Sequence, residues 1–540
     1  MSIRAALLTL SVLAAPLEAQ ALGPRIDSVF AEFARPDGAG CIVGVRRGGE
    51  TIHAGAYGMA NLEYGVPLTI ETISESGSVA KQFTAAALVL LAQEGKLSLD
   101  DEVRRYIPEL PDFGAPITIR MLLNHTSGLR DQWALLGLMG NPPGRQVHTV
   151  SGILHLATRQ RMLNFSPNTE YLYSNMGYVL AGIVVQRTSG RSLQQFTAER
   201  FFRPLGMTRT EWREDYRKVV PGRATAYARD RNGWVQDMPF TMVIGNGGLL
   251  TTVGDWLAWN DALTSGAIAG GPELVRALET QGRLADGTEI GYALGLTVTT
   301  WKGLREVSHG GATAGYRTFL ARWPERHTSL ALLCNAGNAN AALLAHRVAD
   351  VVLGPLPDPA PPRPAIELPV SALESLVGAW RDSTSDQILT LALREGRLMA
   401  SSGAASLPLT PIGEDRFWHS ATGEFRVDRE GTETVIRQNE AGPRTFRRHQ
   451  RIDPASVRLE EFAGRYTSDE LGISYDVEVK DDRPYLSFPP NDPLPMLPVY
   501  QDGFSAQGRT LRFMRDTTGK VTGLRVFAGR ARDVRFSKEP

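Results

Sequence analysis

The chain has 540 residues, 42% apolar and 21% charged, which is too long for one hydrophobic core and ordinary for a folded protein of several domains. Lysine plus arginine and aspartate plus glutamate both number 58, so the broad positive field needed to bind nucleic acid or an anionic membrane is missing, and a small-molecule or short-peptide partner is expected. The only cysteines, Cys41 and Cys334, cannot build a cysteine-rich zinc site or a disulfide scaffold, no His-Glu-x-x-His helix occurs, and neither a metal nor another cofactor is expected.

At the N-terminus, Arg4 precedes an apolar run over 5–15, and Ala19 and Ala21 flank Gln20. This is the pattern of a secretory signal over 1–21, which predicts a periplasmic or secreted mature protein. The run is too short to span a bilayer, and no later segment is long and apolar enough to do so. A first large domain, 22–353, opens with an amphipathic stretch over 26–33 and strand-like runs over 41–47 and 51–57 around the turn Gly48-Gly49. It closes with strand runs near 305–309, 316–323 and 329–334 and a helical stretch over 339–352, and helical periodicity fills the interval. That order predicts an α/β (α+β) domain with one antiparallel sheet assembled from both ends and an inserted helical lobe.

Pro355, Pro357, Pro359, Pro361, Pro362 and Pro364 favour an extended linker over 354–369. Beyond it the texture changes to short alternating strands, and the segment repeats itself. Leu376-Val377-Gly378-Ala379-Trp380 is echoed by Phe462-Ala463-Gly464-Arg465-Tyr466, and Leu407-Pro408-Leu409 by Leu494-Pro495-Met496. Phe425, Asp428 and Gly431 are echoed by Phe513, Asp516 and Gly519. Two copies of one all-β unit, 370–452 and 453–540, follow from these collinear anchors, each long enough for a small closed barrel.

Three short segments of the first domain carry chemistry. Ser78-Val79-Ala80-Lys81 opens an apolar helical run, so Lys81 shares a helix face with Ser78, and Ser78 sits where the helix dipole favours developing negative charge. Tyr173-Ser174-Asn175 follows the turn Ser166-Pro167-Asn168; a phenol can activate a serine if a cation such as Lys81 lowers its pKa. His309-Gly310-Gly311-Ala312 ends a strand, its glycines leave room for a substrate backbone at the strand edge, and the N–H groups of Ala312 and Ser78 are candidates for an oxyanion hole. Taken singly, each also reads as structure: a serine cap with a solvated lysine, a core tyrosine with a turn asparagine, a glycine-rich turn.

In this order and in one domain, the three segments resemble the serine beta-lactamase-like and penicillin-binding-protein-like family, nearest its class C branch. The resemblance covers roughly 26–352 and includes Leu123-Asn124-His125-Thr126-Ser127-Gly128-Leu129, Pro204-Leu205-Gly206-Met207 and Gly247-Gly248-Leu249. With two barrel-like (lipocalin-like) units appended, the whole chain is similar to the three-domain D-aminopeptidase architecture, as is Arg130-Asp131-Gln132-Trp133-Ala134-Leu135. The resemblance implies that Ser78 attacks a carbonyl, that Lys81 and Tyr173 relay its proton, and that Asn175 orients a substrate lying along His309, Gly310, Gly311 and Ala312. Which of Lys81 and Tyr173 is the base stays open.

The family's lactamase and carboxypeptidase branches carry a lysine where this chain has His309. An imidazole only partly charged near neutral pH holds a carboxylate less firmly, which favours a D-aminopeptidase or amidase over a lactamase or DD-peptidase. The alternatives are a carboxylesterase and, from another class, an inactive peptide-binding protein. The segment 489–503, rich in proline, reads either as a long hairpin connection facing solvent or as a stiff loop that projects over the cleft and presents Asp492 to a substrate ammonium. In the family's sheet the strands carrying Cys41 and Cys334 are antiparallel neighbours, an arrangement compatible with two buried thiols or with a disulfide in an oxidising compartment.

Overall fold

A computed structural model describes residues 14–354, 356, 364–402, 405–419, 423–430, 433–438, 444–450 and 452–540. Of the predicted export signal, 1–13 lies outside these residues, as do 355 and 357–363 of the predicted linker and Gly431 among the repeat anchors. Helix α1 (Ala14–Val29) leads into a six-stranded antiparallel sheet. Its strands are β1 (Cys41–Arg47), β2 (Glu50–Tyr57), β3 (Thr297–Trp301), β4 (Leu304–Thr313), β5 (Tyr316–Trp323) and β6 (Thr328–Cys334), in the order β3-β4-β5-β6-β1-β2. The N-terminal hairpin therefore lies beside the last strand, as expected. Side chains alternate between two buried faces: Ile42, Ala331 and Leu333 point to the helical lobe, while Val43, Val45, Leu330 and Leu332 point the other way.

The lobe between β2 and β3 is built on α2 (Lys81–Gln93), α3 (Gln132–Leu138) and α4 (Asn175–Ser189). Helix α2 is apolar nearly all round and buried from Lys81 to Leu91, so it forms the centre of the lobe and draws its first residue, Lys81, into the interior. Helix α5 (Val253–Ser265) covers β1 and β6 on the lobe side, and α1 packs with α6 (Ala341–Val352) on the opposite face through Ile26, Phe30, Leu344 and Val348. The register of β1 on β6 sets Cys41 opposite Cys334, and the two are joined by a disulfide.

The first C-terminal unit is a closed barrel of eight strands, from Gly378–Asp382 to Arg444–His449, around Trp380, Leu391, Phe417, Phe425 and Phe446. The second has nine strands, from Gly464–Ser468 to Ala531–Lys538, and is nearly closed. Its gap falls between Leu494–Pro495 and Leu497–Tyr500, the segment that matches the unbroken strand Ala405–Pro411 of the first copy. Pro493, Pro495 and Pro498 lie at this point, and each lacks the N–H that a ladder needs. The core of the second barrel is continuous with that of the lobe, and Tyr475 Oη donates to the Leu138 carbonyl at 2.8 Å. The first barrel touches the second, where Tyr500 Oη donates to Asp386 at 2.7 Å. Among the described residues no helix is long and apolar enough to cross a membrane.

Candidate active site

Ser78 sits in the 3-10 turn Gly77–Ala80 that leads into α2, half-buried at the floor of a cleft of about 930 Å³. Gly77 adopts φ +53°, and a Cβ there would fall 2.6 Å from the Ala312 nitrogen. A Cβ on Gly311 would fall 2.1 Å from the Ser76 carbonyl oxygen and 2.2 Å from Thr318 Oγ1. These two absent side chains let the serine turn and β4 touch backbone to backbone. Gly311 thus makes room for the protein itself, whereas a Cβ on Gly310 would meet only ordinary contacts. β3 pairs with β4 only as far as Ser308, so the edge from His309 to Thr313 has no partner strand among the described residues. Gly311→Ala is expected to lower stability by about 1–3 kcal/mol through this overpacking, whereas Gly310→Ala, whose nearest neighbour would be 3.7 Å away, leaves it unchanged. Thermal unfolding of the two variants side by side checks this, and equal melting temperatures would refute it.

Lys81 is fully buried, and its Nζ donates to Ser78 Oγ at 3.2 Å, to Asn175 Oδ1 at 2.8 Å and to the Asn246 carbonyl at 2.6 Å. Three acceptors match the three donors of an ammonium. Burial lowers its pKa well below 10.5; Asp131 pulls it back up, and Arg530 pushes it further down. Asn175 is the first residue of α4, and its side chain is committed to the protein: besides receiving Lys81, it donates from both N and Nδ2 to Asp131 Oδ2 at 2.8 Å. Asp131 in turn caps α3, its Oδ1 accepting from the backbone of Trp133 and Ala134. A buried chain Asp131–Asn175–Lys81 therefore fixes the ammonium against Ser78.

Tyr173 lines the same cleft, with its ring centroid 4.9 Å from Lys81 Nζ. Burial drives the phenol pKa upward and an interaction with Ser78 opposes this, although Oη meets no partner in good hydrogen-bonding geometry. His125 holds the segment: its Nδ1 accepts from the Ser174 N–H at 3.2 Å, and its ring lies 4.1 Å from that of Tyr173. His309 is buried, its Nε2 2.9 Å from Tyr292 Oη and its Nδ1 2.6 Å from the Gly310 carbonyl. A carbonyl only accepts, so Nδ1 carries the proton and Nε2 accepts from the tyrosine. Burial first, then the charge of Lys81, lower its pKa to about 4. The imidazole is thus neutral near pH 7, not partly charged as expected.

Ser78, Tyr173, Asn175, His309, Gly310, Gly311 and Ala312 all line this one cleft, with Lys81 beneath it. Asp492 does not: it is exposed, and the proline segment before it lies against the lobe, with Pro490 and Asn491 beside Gly140. The part of the second barrel that does enter is the hairpin turn Gly529-Arg530. The Arg530 carbonyl accepts from the Asp131 N–H at 3.1 Å and from Asn164 Nδ2 at 3.0 Å, and its guanidinium lies 5.6 Å from the Tyr173 ring centroid. Asp237, also on the cleft wall, was not singled out in the sequence either. Nothing local marks these two positions, whereas Asp131 stood inside the segment similar to D-aminopeptidases.

A sequence profile of the family described as Beta-lactamase matches residues 26–353. The chain is 28% identical over 529 residues to the D-aminopeptidase of Brucella anthropi, a match spanning 93% of this chain and 95% of that protein. In structure it is similar to the octameric penicillin-binding protein homologue from Pyrococcus abyssi, with a TM-score of 0.56 and 22% identity, over 87% of this chain and 98% of that one. It is also similar to the D-amino acid amidase from Ochrobactrum anthropi SV3 complexed with D-phenylalanine, with a TM-score of 0.52 and 23% identity, over 62% of this chain and 99% of that one. At these identities the structural likenesses establish the fold.

Proposed function

The chain belongs to the beta-lactamase family and is a serine hydrolase, and within that family we propose that it is an exported, D-aminopeptidase-like enzyme that cleaves short peptides or amides with a free amino end. The observation that carries this reading is the placement of Lys81 Nζ 3.2 Å from Ser78 Oγ in a buried pocket that lowers its pKa. In this reading, neutral Lys81 takes the Ser78 proton as Oγ attacks the substrate carbonyl. The N–H groups of Ser78 and Ala312 receive the oxyanion. Tyr173, kept protonated by burial, gives its proton to the leaving nitrogen and is reprotonated through Lys81. Water then attacks the acyl-enzyme with the same groups working in reverse.

A neutral His309 supplies no cation on the strand, which argues against dedicated beta-lactam or DD-peptide recognition. A free amino end needs a carboxylate in the cleft, and Asp237 takes this part in place of Asp492. Arg317, within electrostatic reach of Asp237, turns its Nη1 onto the carbonyls of Ala314 and Tyr316. Export is supported by the signal pattern over 1–21 and by the Cys41–Cys334 disulfide, a bond suited to an oxidising compartment.

The test sets D- and L-amino acid p-nitroanilides, short-chain p-nitrophenyl esters and a chromogenic cephalosporin side by side. Fastest turnover of D-anilides, lost on N-acetylation, is expected; activity on esters alone would make the enzyme a carboxylesterase. Asp237→Asn is expected to narrow the preference for free over N-acetylated anilides by about tenfold, as for loss of one charge-assisted contact. An unchanged ratio would remove Asp237 from the reading.

A further inference from the structure

Two cationic side chains reach the cleft wall from the surface, Arg317 and Arg530. Arg317 is held to its own turn through Nη1, which donates to the carbonyls of Ala314 and Tyr316. Arg530 has no such hold: among the described residues its guanidinium donates no hydrogen bond, is 39% exposed, and has as its nearest anion Asp131 Oδ2 at 3.6 Å. That oxygen already accepts both Asn175 N–H groups, and Oδ1 accepts from two α3 amides, so Asp131 has little left to offer. The backbone beneath Arg530 is fixed, because its carbonyl takes two hydrogen bonds from the lobe and the Arg532 N–H donates to Asn164 Oδ1 at 2.8 Å. The second barrel thus delivers an unsatisfied, planar, bidentate donor to a set position.

The position has a direction. Arg530 lies against the ring of Tyr173, the group assigned above to protonate the leaving nitrogen, so the cation stands on the leaving-group side of the scissile bond. We propose that Arg530 is a specificity-determining residue that receives a carboxylate on the leaving group. The favoured substrates are then short peptides with a free C-terminus, dipeptides above all, in preference to amides, anilides or esters. This rests on the reading of Ser78, Lys81 and Tyr173 given above. A dipeptide would span the site as a dipole, its ammonium toward Asp237 and its carboxylate toward Arg530.

The experiment compares kcat/KM for D-alanyl-glycine and its C-terminal amide in the full-length wild type, Arg530→Gln and Arg530→Lys, with Ser78→Ala alongside and melting temperatures recorded for all. Wild type is expected to prefer the free acid. In Arg530→Gln the acid-to-amide ratio should collapse by about 10- to 100-fold, mainly through KM, and Arg530→Lys should restore part of it. The same ratio in Arg530→Gln as in wild type would overturn the assignment. So would an equal fall on both substrates with a displaced pH profile, which would make Arg530 an electrostatic neighbour of Lys81 only. Failure of wild type to cleave either dipeptide while it cleaves D-anilides would also overturn it. Turnover surviving Ser78→Ala would instead sink the underlying reading, so the two failures are distinguishable.

Discussion

Ser78→Ala is expected to abolish turnover of every substrate, and Lys81→Ala to cost at least about 10³-fold in kcat, with the double variant little worse than the worse single one. The reason is that the pair is one proton-transfer unit: among the described residues Lys81 Nζ is hydrogen-bonded to Ser78 Oγ, Asn175 Oδ1 and the Asn246 carbonyl, and of these three oxygens only the serine hydroxyl has a proton to give. Steady-state kinetics of the single and double variants checks this, and near-additive losses would show that the residues act separately. The pH dependence has a definite sign. Neutral Lys81 is the working form, and burial lowers its pKa well below 10.5, so kcat/KM is expected to be retained above that lowered value and lost as pH falls through it. Tyr173 is shifted the other way and keeps its proton through the neutral range. His309 contributes to stability instead: with a folded pKa of about 4 against 6.5 unfolded, the unfolded chain binds its proton first, so stability falls as pH drops from 6.5 towards 4. Replacing His309 by glutamine should flatten that part of the stability curve.

What could be read from the sequence was what is local. Ser78 and Lys81 are three residues apart on a helix that is apolar on nearly every face, so their proximity follows from helical geometry and their burial from composition. The order of strand runs at the two ends of the domain gave the sheet, because a hairpin and a meander that share apolar alternation must pair to bury it. The bond from Asn175 to Asp131 is not legible in the sequence, because the two are 44 residues apart and no period in a sequence reports such a contact. The proline segment before Asp492 was legible as irregular chain but not in its direction, which is set by packing on Gly140. Arg530 was invisible for the same reason in stronger form: a two-residue hairpin turn carries no signal, and its place in the cleft exists only once the second barrel has docked.

That docking rests on Arg130, and Arg130→Ala is expected to cost about 3–5 kcal/mol, the loss typical of breaking one side of a buried ion pair. Arg130 is fully buried between lobe and barrel, its Nη1 2.5 Å from Glu470 Oε2, and it also donates to Gln160 and to the carbonyls of Arg532 and Asp533. Burial lowers its pKa, with Glu470 opposing, so the desolvation cost is large and is offset only while every partner is present. Alanine would strand the Glu470 carboxylate, itself 5% exposed, and free the two carbonyls that anchor the strand after Arg530. The turn carrying Arg530 would then lose its purchase on Asp131 and Asn164, so stability and the preference for a substrate carboxylate should fall together, whereas Ser78-dependent turnover of anilides, which have no carboxylate, should fall less. An Arg130→Met, Glu470→Met double variant removes both charges and should recover the part of the melting temperature lost to the stranded carboxylate, but not the part due to Gln160, the Arg532 and Asp533 carbonyls and the Arg161 N–H, which still lose their partners. Differential scanning calorimetry and limited proteolysis of the three proteins decide the matter. A single cooperative transition in Arg130→Ala, at the wild-type temperature, would mean that the barrel is held by its shared apolar core with the lobe and that Arg130 adds nothing to it.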